Sequence, residues 1–261
     1  MAARPFAKYQ GLGNDFIVLD AAEWPDVGPD LARDLCDRHL GVGGDGVLSV
    51  DRTEMVHGRV RMVIFNADGS RPEMCGNGVR CVAAWLVDRG DLAEGSALVV
   101  DSDAGPRPVR VRAAGADGCE VEVEMGTARV DATVAEAAGL AVRAVDMGNP
   151  HGVVFAEPDD VPAVVRSVGA LPVFPQGVNV ELVTPTPRGF RVRVHERGVG
   201  WTQACGTGAC AVVAAAVDER RWPADEPAEV ELDGGPLSIR VSRDGVVTMT
   251  GPARRAFVGL R

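Results

Sequence analysis

The chain has 261 residues, an apolar fraction of 46 % and a formal net charge of −10, which suits one large domain or two ordinary ones with a sizeable core. That charge is the wrong sign for a nucleic-acid partner, which requires clustered Lys and Arg. No apolar run is long enough to span a bilayer, and the opening MAARPFAKYQGLGNDF lacks the apolar stretch of a secretory signal, so a cytoplasmic protein with no membrane partner is expected.

In chain order, GLGNDFIVLD (Gly11 to Asp20) stands near the start, and LARDLCDRHL reads as helical. The following GVGGDG (Gly41 to Gly46) spells G-x-G-x-x-G. A dinucleotide fingerprint must follow a strand, and this stretch follows a helical pattern, so it is read as a loop. RMVIF, just before Asn66, has the β-branched and aromatic content of a strand. Cys75-Gly76-Asn77-Gly78 then precedes VRCVAAWLVDRG, alanine-rich and long enough for three helical turns. VRVRAAGADGCEVEVEMG reads as a hairpin, and the small, turn-rich residues 113–118 within it mark a domain boundary.

The same pattern then recurs. DMGNPHGVVF (Asp146 to Phe155) answers GLGNDFIVLD, with Asn149 in the place of Asn14. RVRVH leads to Glu196 as RMVIF leads to Asn66, and Cys205-Gly206-Thr207-Gly208 stands 130 positions after its counterpart, followed by ACAVVAAAVDER. AEVELDGGPLSIRVSRDGVVTMTG reads as further β-hairpins. Two halves of one build are expected, each strand–loop–Cys–Gly–helix, in a mixed α/β protein.

A thiol at a helix N-terminus meets the positive end of the helix dipole and N–H groups with no intrahelical partner. These favour thiolate and are expected to lower the pKa of both cysteines. The same N–H groups can hold a carboxylate, and the glycines are expected to let a ligand approach the backbone. Two such halves offer a base on each side of one carbon, which suits racemisation or epimerisation at the α-carbon of an amino acid and requires no metal or pyridoxal phosphate. A zinc site fits poorly, because Cys75/Cys81 and Cys205/Cys210 lack the close C-x₂-C spacing. A Cys–His hydrolase built on His151 would leave the second C-G-x-G idle. Cys81 and Cys210 are expected in the core, and Cys36 and Cys119 as structural thiols. All six cysteines are expected free in a reducing compartment.

Seven stretches in order carry a family resemblance: GLGNDFIVLD, RHLGVGGDG, FNADGSRPEMCGNGVRC, MGNPHGVVF, GVNVELV, ERGVGWTQACGTGACA and TGPARRAFVGL. Together they resemble the diaminopimelate epimerases. The resemblance implies an α/β fold of two pseudo-symmetric domains, each a curved, mixed, barrel-like β-sheet wrapped around a central helix, with the active site in the interdomain cleft. The domains would be residues 1–115, completed by 250–261, and residues 116–249. It implies epimerisation of LL-2,6-diaminopimelate to meso-diaminopimelate on the route to lysine and peptidoglycan, without cofactor or metal, by a cytoplasmic homodimer.

Carried over by position, Cys75 and Cys205 are the acid/base thiols, with His151 and Glu196 adjusting their protonation. Gly76, Asn77, Gly206 and Thr207 would present backbone N–H groups to the reacting carboxylate. Asn14, Asn66, Asn149, Asn179, Glu196 and Arg197 would bind the substrate's amino and carboxylate groups, with Arg197 on the carboxylate that does not react. Gly46 stands where many such chains carry Gln, which implies one missing side-chain contact. Trp201 stands where they carry Glu, which implies a shift in ligand preference. A racemase of another amino acid and a non-catalytic amino-acid-binding protein remain as alternatives.

Overall fold

A strand pair joined in parallel needs a crossover, and a helix is the usual crossover; this rule organises both halves of the chain. The computed structural model describes residues 3–116 and 118–261. The first half runs β1 (Pro5–Gly11), β2 (Asn14–Asp20), α1 (Pro29–Cys36), β3 (Gly46–Asp51), β4 (Arg59–Asn66), α2 (Gly76–Asp88), β5 (Ala97–Ser102), β6 (Gly105–Gly115) and β7 (Gly118–Thr127). The second runs β8 (Arg129–Ala137), β9 (Leu140–Asp146), β10 (Pro150–Val154), α3 (Val161–Gly169), β11 (Asn179–Thr186), β12 (Gly189–Glu196), β13 (Gly200–Thr202), α4 (Gly206–Asp218), β14 (Ala228–Leu232), β15 (Gly235–Val241) and β16 (Val246–Leu260).

The chain divides into two compact units, Met1–Val123 with Thr250–Arg261, and Glu124–Met249. In the first, β2–β3 and β4–β5 are parallel and crossed by α1 and α2, while β1–β2, β3–β4, β5–β6 and β6–β7 are antiparallel. The second repeats the scheme. There β10–β11 and β12–β14 are parallel and crossed by α3 and α4, with antiparallel pairs β8–β9, β9–β10, β11–β12 and β14–β15. The C-terminal part of β16 pairs antiparallel with β1, from Pro5↔Leu260 to Gln10↔Arg254. The last residues therefore complete the first unit's sheet, as β8 flanks β9 in the second. Residues 113–118 are the tip of the β6–β7 hairpin, with Asp117 outside the described residues. The passage between units falls inside β7, at Val123/Glu124. Small turn-forming residues marked a hairpin tip there, and a strand can run from one unit to the next without any change of composition.

Both central helices are buried on all sides. Every residue of α2 from Gly76 to Leu86 is buried, and every residue of α4 from Gly206 to Ala216 except Thr207. α2 packs against β1, β2, β3, β4 and β6, and α4 against β8, β9, β10, β11 and β15, so each sheet curls around its helix. Alanine and valine dominate these helices because a surrounded helix has no polar face to present and needs small side chains for close approach. The remaining thiols, Cys36, Cys81, Cys119 and Cys210, are buried. Burial pushes Cys81 up to about 12 and Cys36 up to about 11, which keeps both in the unreactive thiol form.

Candidate active site

Cys75 is the N-cap of α2 and Cys205 the N-cap of α4. Both have extended backbone, and each sulfur accepts the N–H of the residue three positions on, Gly78 at 3.4 Å and Gly208 at 3.3 Å. The thiol thus occupies the place that a Ser, Thr or Asp oxygen takes in an ordinary cap. The N–H groups of Gly76 and Asn77, and of Gly206 and Thr207, belong to the first helical positions, where the helix dipole is positive.

The fourth-position glycines have a packing role. A Cβ on Gly78 would lie 3.1 Å from Leu48 Cδ2, and a Cβ on Gly208 would lie 2.7 Å from Glu181 Oε1. They let the helix start sit down on the sheet. Leu48 ends in a rotatable methyl, whereas Glu181 is bonded to His151. Gly208→Ala is therefore expected to destabilise by about 1–3 kcal/mol. In Gly78→Ala the helix-propensity gain of about 1 kcal/mol should offset most of the crowding. Urea denaturation of the two variants checks the difference, and equal midpoints would contradict it.

In the first unit, Asn14 and Asn77 come together at Cys75. Asn14 Oδ1 accepts from Asn77 Nδ2 at 3.2 Å and lies 3.9 Å from the Cys75 sulfur. Asn14 Nδ2 donates to Asp45 Oδ2 at 2.8 Å, and Asn77 Oδ1 accepts from Arg80 Nη2 at 2.9 Å. Arg80 is fully buried and also donates through Nε to the carbonyl of Pro252 at 3.2 Å. Arg38 pairs with Asp15 at 2.7 Å and Asp45 at 2.9 Å, and buried Lys8 pairs with Asp15 at 2.7 Å and donates to the Gly43 carbonyl. Burial alone would raise Asp15, but hydrogen bonds from Arg38 and Lys8 hold its carboxyl well below the usual carboxylate range.

The GVGGDG loop is thus pinned at Gly43 by a buried lysine and carries Asp45 to Asn14. Asp45 and Arg80 were not singled out in the sequence. The available signals were an Asp-Gly pair in the loop and an arginine inside an alanine-rich helix. Asn66, at the end of β4, donates to Ser70 Oγ at 2.9 Å. Gly46 is buried, and a Cβ there would lie 2.7 Å from the Phe65 carbonyl.

In the second unit, a chain of hydrogen bonds leads to Cys205. Glu181 Oε1 meets His151 Nδ1 at 2.7 Å, and His151 Nε2 meets Asn149 Oδ1 at 3.0 Å. Asn149 Nδ2 donates to Thr207 Oγ1 at 3.4 Å, and Thr207 Oγ1 lies 3.4 Å from the sulfur. His151 and Glu181 are both completely buried. Burial raises the Cys205 thiol well above its ordinary range, the charges of Glu196 and Glu181 add to this, and Thr207 and the Gly208 N–H oppose it. The expectation of a lowered pKa fails at Cys205, because loss of solvent outweighs the helix end.

Asn179 holds the next loop through both ends of its amide: Nδ2 donates to the Pro150 carbonyl at 3.2 Å and Oδ1 accepts from the Arg197 N–H at 2.9 Å. Arg197 is exposed, and its Nη1 donates to the Gln176 carbonyl at 3.0 Å. Glu196 accepts from the Thr202 hydroxyl. Trp201 lies edge-on to His195, with ring centroids 5.2 Å apart, and under the Arg193 guanidinium. Strand alternation places those partners on the face opposite Glu196. Among the described residues, no group of three or more His, Cys, Asp or Glu side chains could hold a metal ion. No helix among them is long and apolar enough to cross a membrane.

Two sheets of one topology, each curled on a helix capped by cysteine, place the protein in a class of pseudo-symmetric α/β folds represented by solved structures. A hydroxyproline epimerase from Agrobacterium vitis matches with a TM-score of 0.72 at 16 % identity, covering 100 % of this chain and 91 % of the other. A phenazine biosynthesis protein of the PhzF family from Bacillus anthracis matches with a TM-score of 0.76 at 14 % identity, covering 100 % and 99 %. In sequence, the family model for diaminopimelate epimerase matches residues 6–130 and 143–256. The diaminopimelate epimerase of Synechococcus elongatus is 42 % identical over 97 % of this chain and 96 % of its own length. The chain belongs to the diaminopimelate epimerase family.

Proposed function

We propose that the protein interconverts LL- and meso-2,6-diaminopimelate by a two-thiol mechanism without cofactor. The thiolate of one cysteine removes the proton from the α-carbon, and the thiol of the other delivers a proton to the opposite face. One turnover leaves the first sulfur protonated and the second as thiolate; proton exchange with solvent resets the pair before another turnover in the same direction, and in the reverse direction the sulfurs exchange roles. The observation that carries this reading is the repeated cap: two sulfurs, each at the start of a buried helix and each bonded to the N–H three residues on. The first N–H groups of each helix suit the reacting carboxylate, whose negative charge grows as the proton leaves; fixed donors stabilise such charge most in the transition state. Asn14 and Asn77 beside Cys75, and Asn149 and Thr207 beside Cys205, are oriented by their own hydrogen bonds to serve as first contacts. His151 and Glu196 adjust the protonation of Cys205, and Asn66 contributes to substrate binding.

Arg197 takes the distal carboxylate. Its loop is held by Asn179 and Gln176, and a planar guanidinium can grip a carboxylate with two hydrogen bonds where an ammonium makes a point contact. Arg197→Lys is expected to lower kcat/KM for diaminopimelate about ten- to hundred-fold. Unchanged kinetics in that variant would remove Arg197 from the site.

A cytoplasmic location and a homodimer belong to the same reading. The exposed Phe257, Val258 and Leu260 at the end of β16 offer apolar surface for a partner. Incubation with LL-diaminopimelate followed by chiral chromatography tests the activity: meso product should accumulate to a mixture of the two isomers, while L-proline and L-glutamate supplied as controls stay unracemised.

A further inference from the structure

The repeat is close in backbone but unequal in chemistry beneath the two caps. In β2 and β3, Phe16 stands opposite Gly46, with Leu48 two residues on; in β10 and β11, His151 stands opposite Asn179, with Glu181 two residues on. Leu48 meets the start of α2 at Gly78, and Glu181 meets the start of α4 at Gly208. Cys75 therefore caps a helix seated on the apolar pair Phe16 and Leu48, and Cys205 caps one seated on His151 and Glu181. All four side chains are buried. Leu and Phe at these places satisfy the fold in the first unit, so packing alone does not call for a buried acid and base in the second.

We infer that Glu181 is a positioning residue for Cys205: it holds the His151 ring with a shared proton, so that hydrogen bonds run in one direction from His151 through Asn149 and Thr207 to the sulfur. The inference rests on the reading of Cys205 as a reacting thiol. With Asn149 Nδ2 on Thr207, Asn149 Oδ1 must accept from His151, so His151 Nε2 carries a proton. Thr207 Oγ1 accepts from Asn149, which leaves its own hydrogen for the sulfur 3.4 Å away. At the other end, the 2.7 Å contact between His151 Nδ1 and Glu181 Oε1 requires a proton between them. Glu181 Oε2 is buried with no hydrogen-bond partner among the described residues. A bare oxygen costs far less on a carboxyl that shares a proton than on a full carboxylate. Burial likewise favours protonation of Glu181.

The pair shares this proton, which offsets part of the Glu181 charge that raises the Cys205 thiol. The positioning effect of Glu181 passes through the ring. The more imidazolium character the carboxyl induces in His151, the stronger the hydrogen bond from Nε2 and the more polarised the chain behind it. A carboxylate behind the histidine of a serine hydrolase orients and supports the ring in the same sense. The Asn149 amide does not pass a proton along, so the chain orients and polarises without relaying. At Cys75 the neighbouring amide is Asn14, held by Asp45 and Asn77.

The test uses full-length protein, with ¹⁵N labelling of the histidines and iodoacetamide as the thiol probe. Wild-type protein should show His151 protonated at Nε2 and a far-downfield proton between Nδ1 and Glu181. Glu181→Gln keeps size and hydrogen bonding but cannot share that proton. It should lose the downfield resonance, lower kcat roughly tenfold with KM within about twofold, and slow alkylation of Cys205 at least about threefold while Cys75 is unchanged. Glu181→Leu, which installs the residue of the other half, should slow Cys205 further. Peptide-resolved alkylation does not depend on the substrate, so this outcome is separate from whether diaminopimelate is turned over. A Glu181→Gln protein with wild-type kcat and a wild-type ratio of Cys205 to Cys75 alkylation would overturn the inference, as would a wild-type His151 without the shared proton.

Discussion

Cys205→Ala and Cys75→Ala are each expected to lower kcat for diaminopimelate epimerisation about 10³-fold, with both proteins folded. A positioned acid or base contributes about 10²–10⁴ to such a step, and the other thiol of each central helix, Cys81 or Cys210, is buried within it and cannot stand in. Loss of a cap costs about 1 kcal/mol, too little to unfold a unit of this size. Chiral product analysis together with a thermal melt separates loss of chemistry from loss of fold. Retention of activity within about tenfold in either variant would mean that one thiol suffices.

Arg80→Ala carries the second large effect, and it falls on stability and activity together. Arg80 is fully buried inside α2, where it ties Asn77 to the C-terminal segment at Pro252. Truncation leaves a cavity and takes this donor from buried Asn77 and from the part-buried Pro252 carbonyl, for an expected loss of about 3–5 kcal/mol and a melting temperature lower by about 6–15 °C. Asn77 also loses the bond that orients its amide toward Asn14, so residual activity should fall even at temperatures where the variant is folded. Arg80→Lys should recover part of the stability and less of the activity, since an ammonium cannot span Asn77 and Pro252 in the same plane. A melt and an activity both close to wild type in Arg80→Ala would show that the helix start does not depend on this residue.

Much of this site was legible in the sequence because its signals are local. A cysteine before Gly-x-Gly and an alanine-rich run specifies a helix cap, and the 130-residue repeat places two of them. Both sulfurs occupy the cap positions. Asn14 and Asn149, alike in sequence, reach their respective caps. What escaped the sequence depends on register across strands. Glu181 reads as one residue in an apolar strand, and only the pairing of β10 with β11 puts it behind His151. Asp45 reads as a turn residue, and only the return of its loop to Lys8 and Arg38 carries it to Asn14. The pKa of Cys205 was misjudged for the same reason. The helix end is visible in the sequence, whereas the depth of burial and the carboxylates around the sulfur come from distant segments. The packing around Gly78, Gly208 and Gly46 and the direction of the Trp201 ring likewise depend on neighbouring strands that sequence position does not place.

The most direct measurement of the central claim is turnover of protiated LL-diaminopimelate in D₂O, quenched at a few per cent conversion and analysed by chiral separation with mass spectrometry. If one sulfur removes the proton and the other, already exchanged with solvent, delivers its own, the meso product should carry one deuterium at the inverted carbon from the first turnovers. The remaining LL substrate should carry far less. Meso product that retains the original hydrogen would require a single group to carry the proton from one face to the other, and would contradict the two-thiol account.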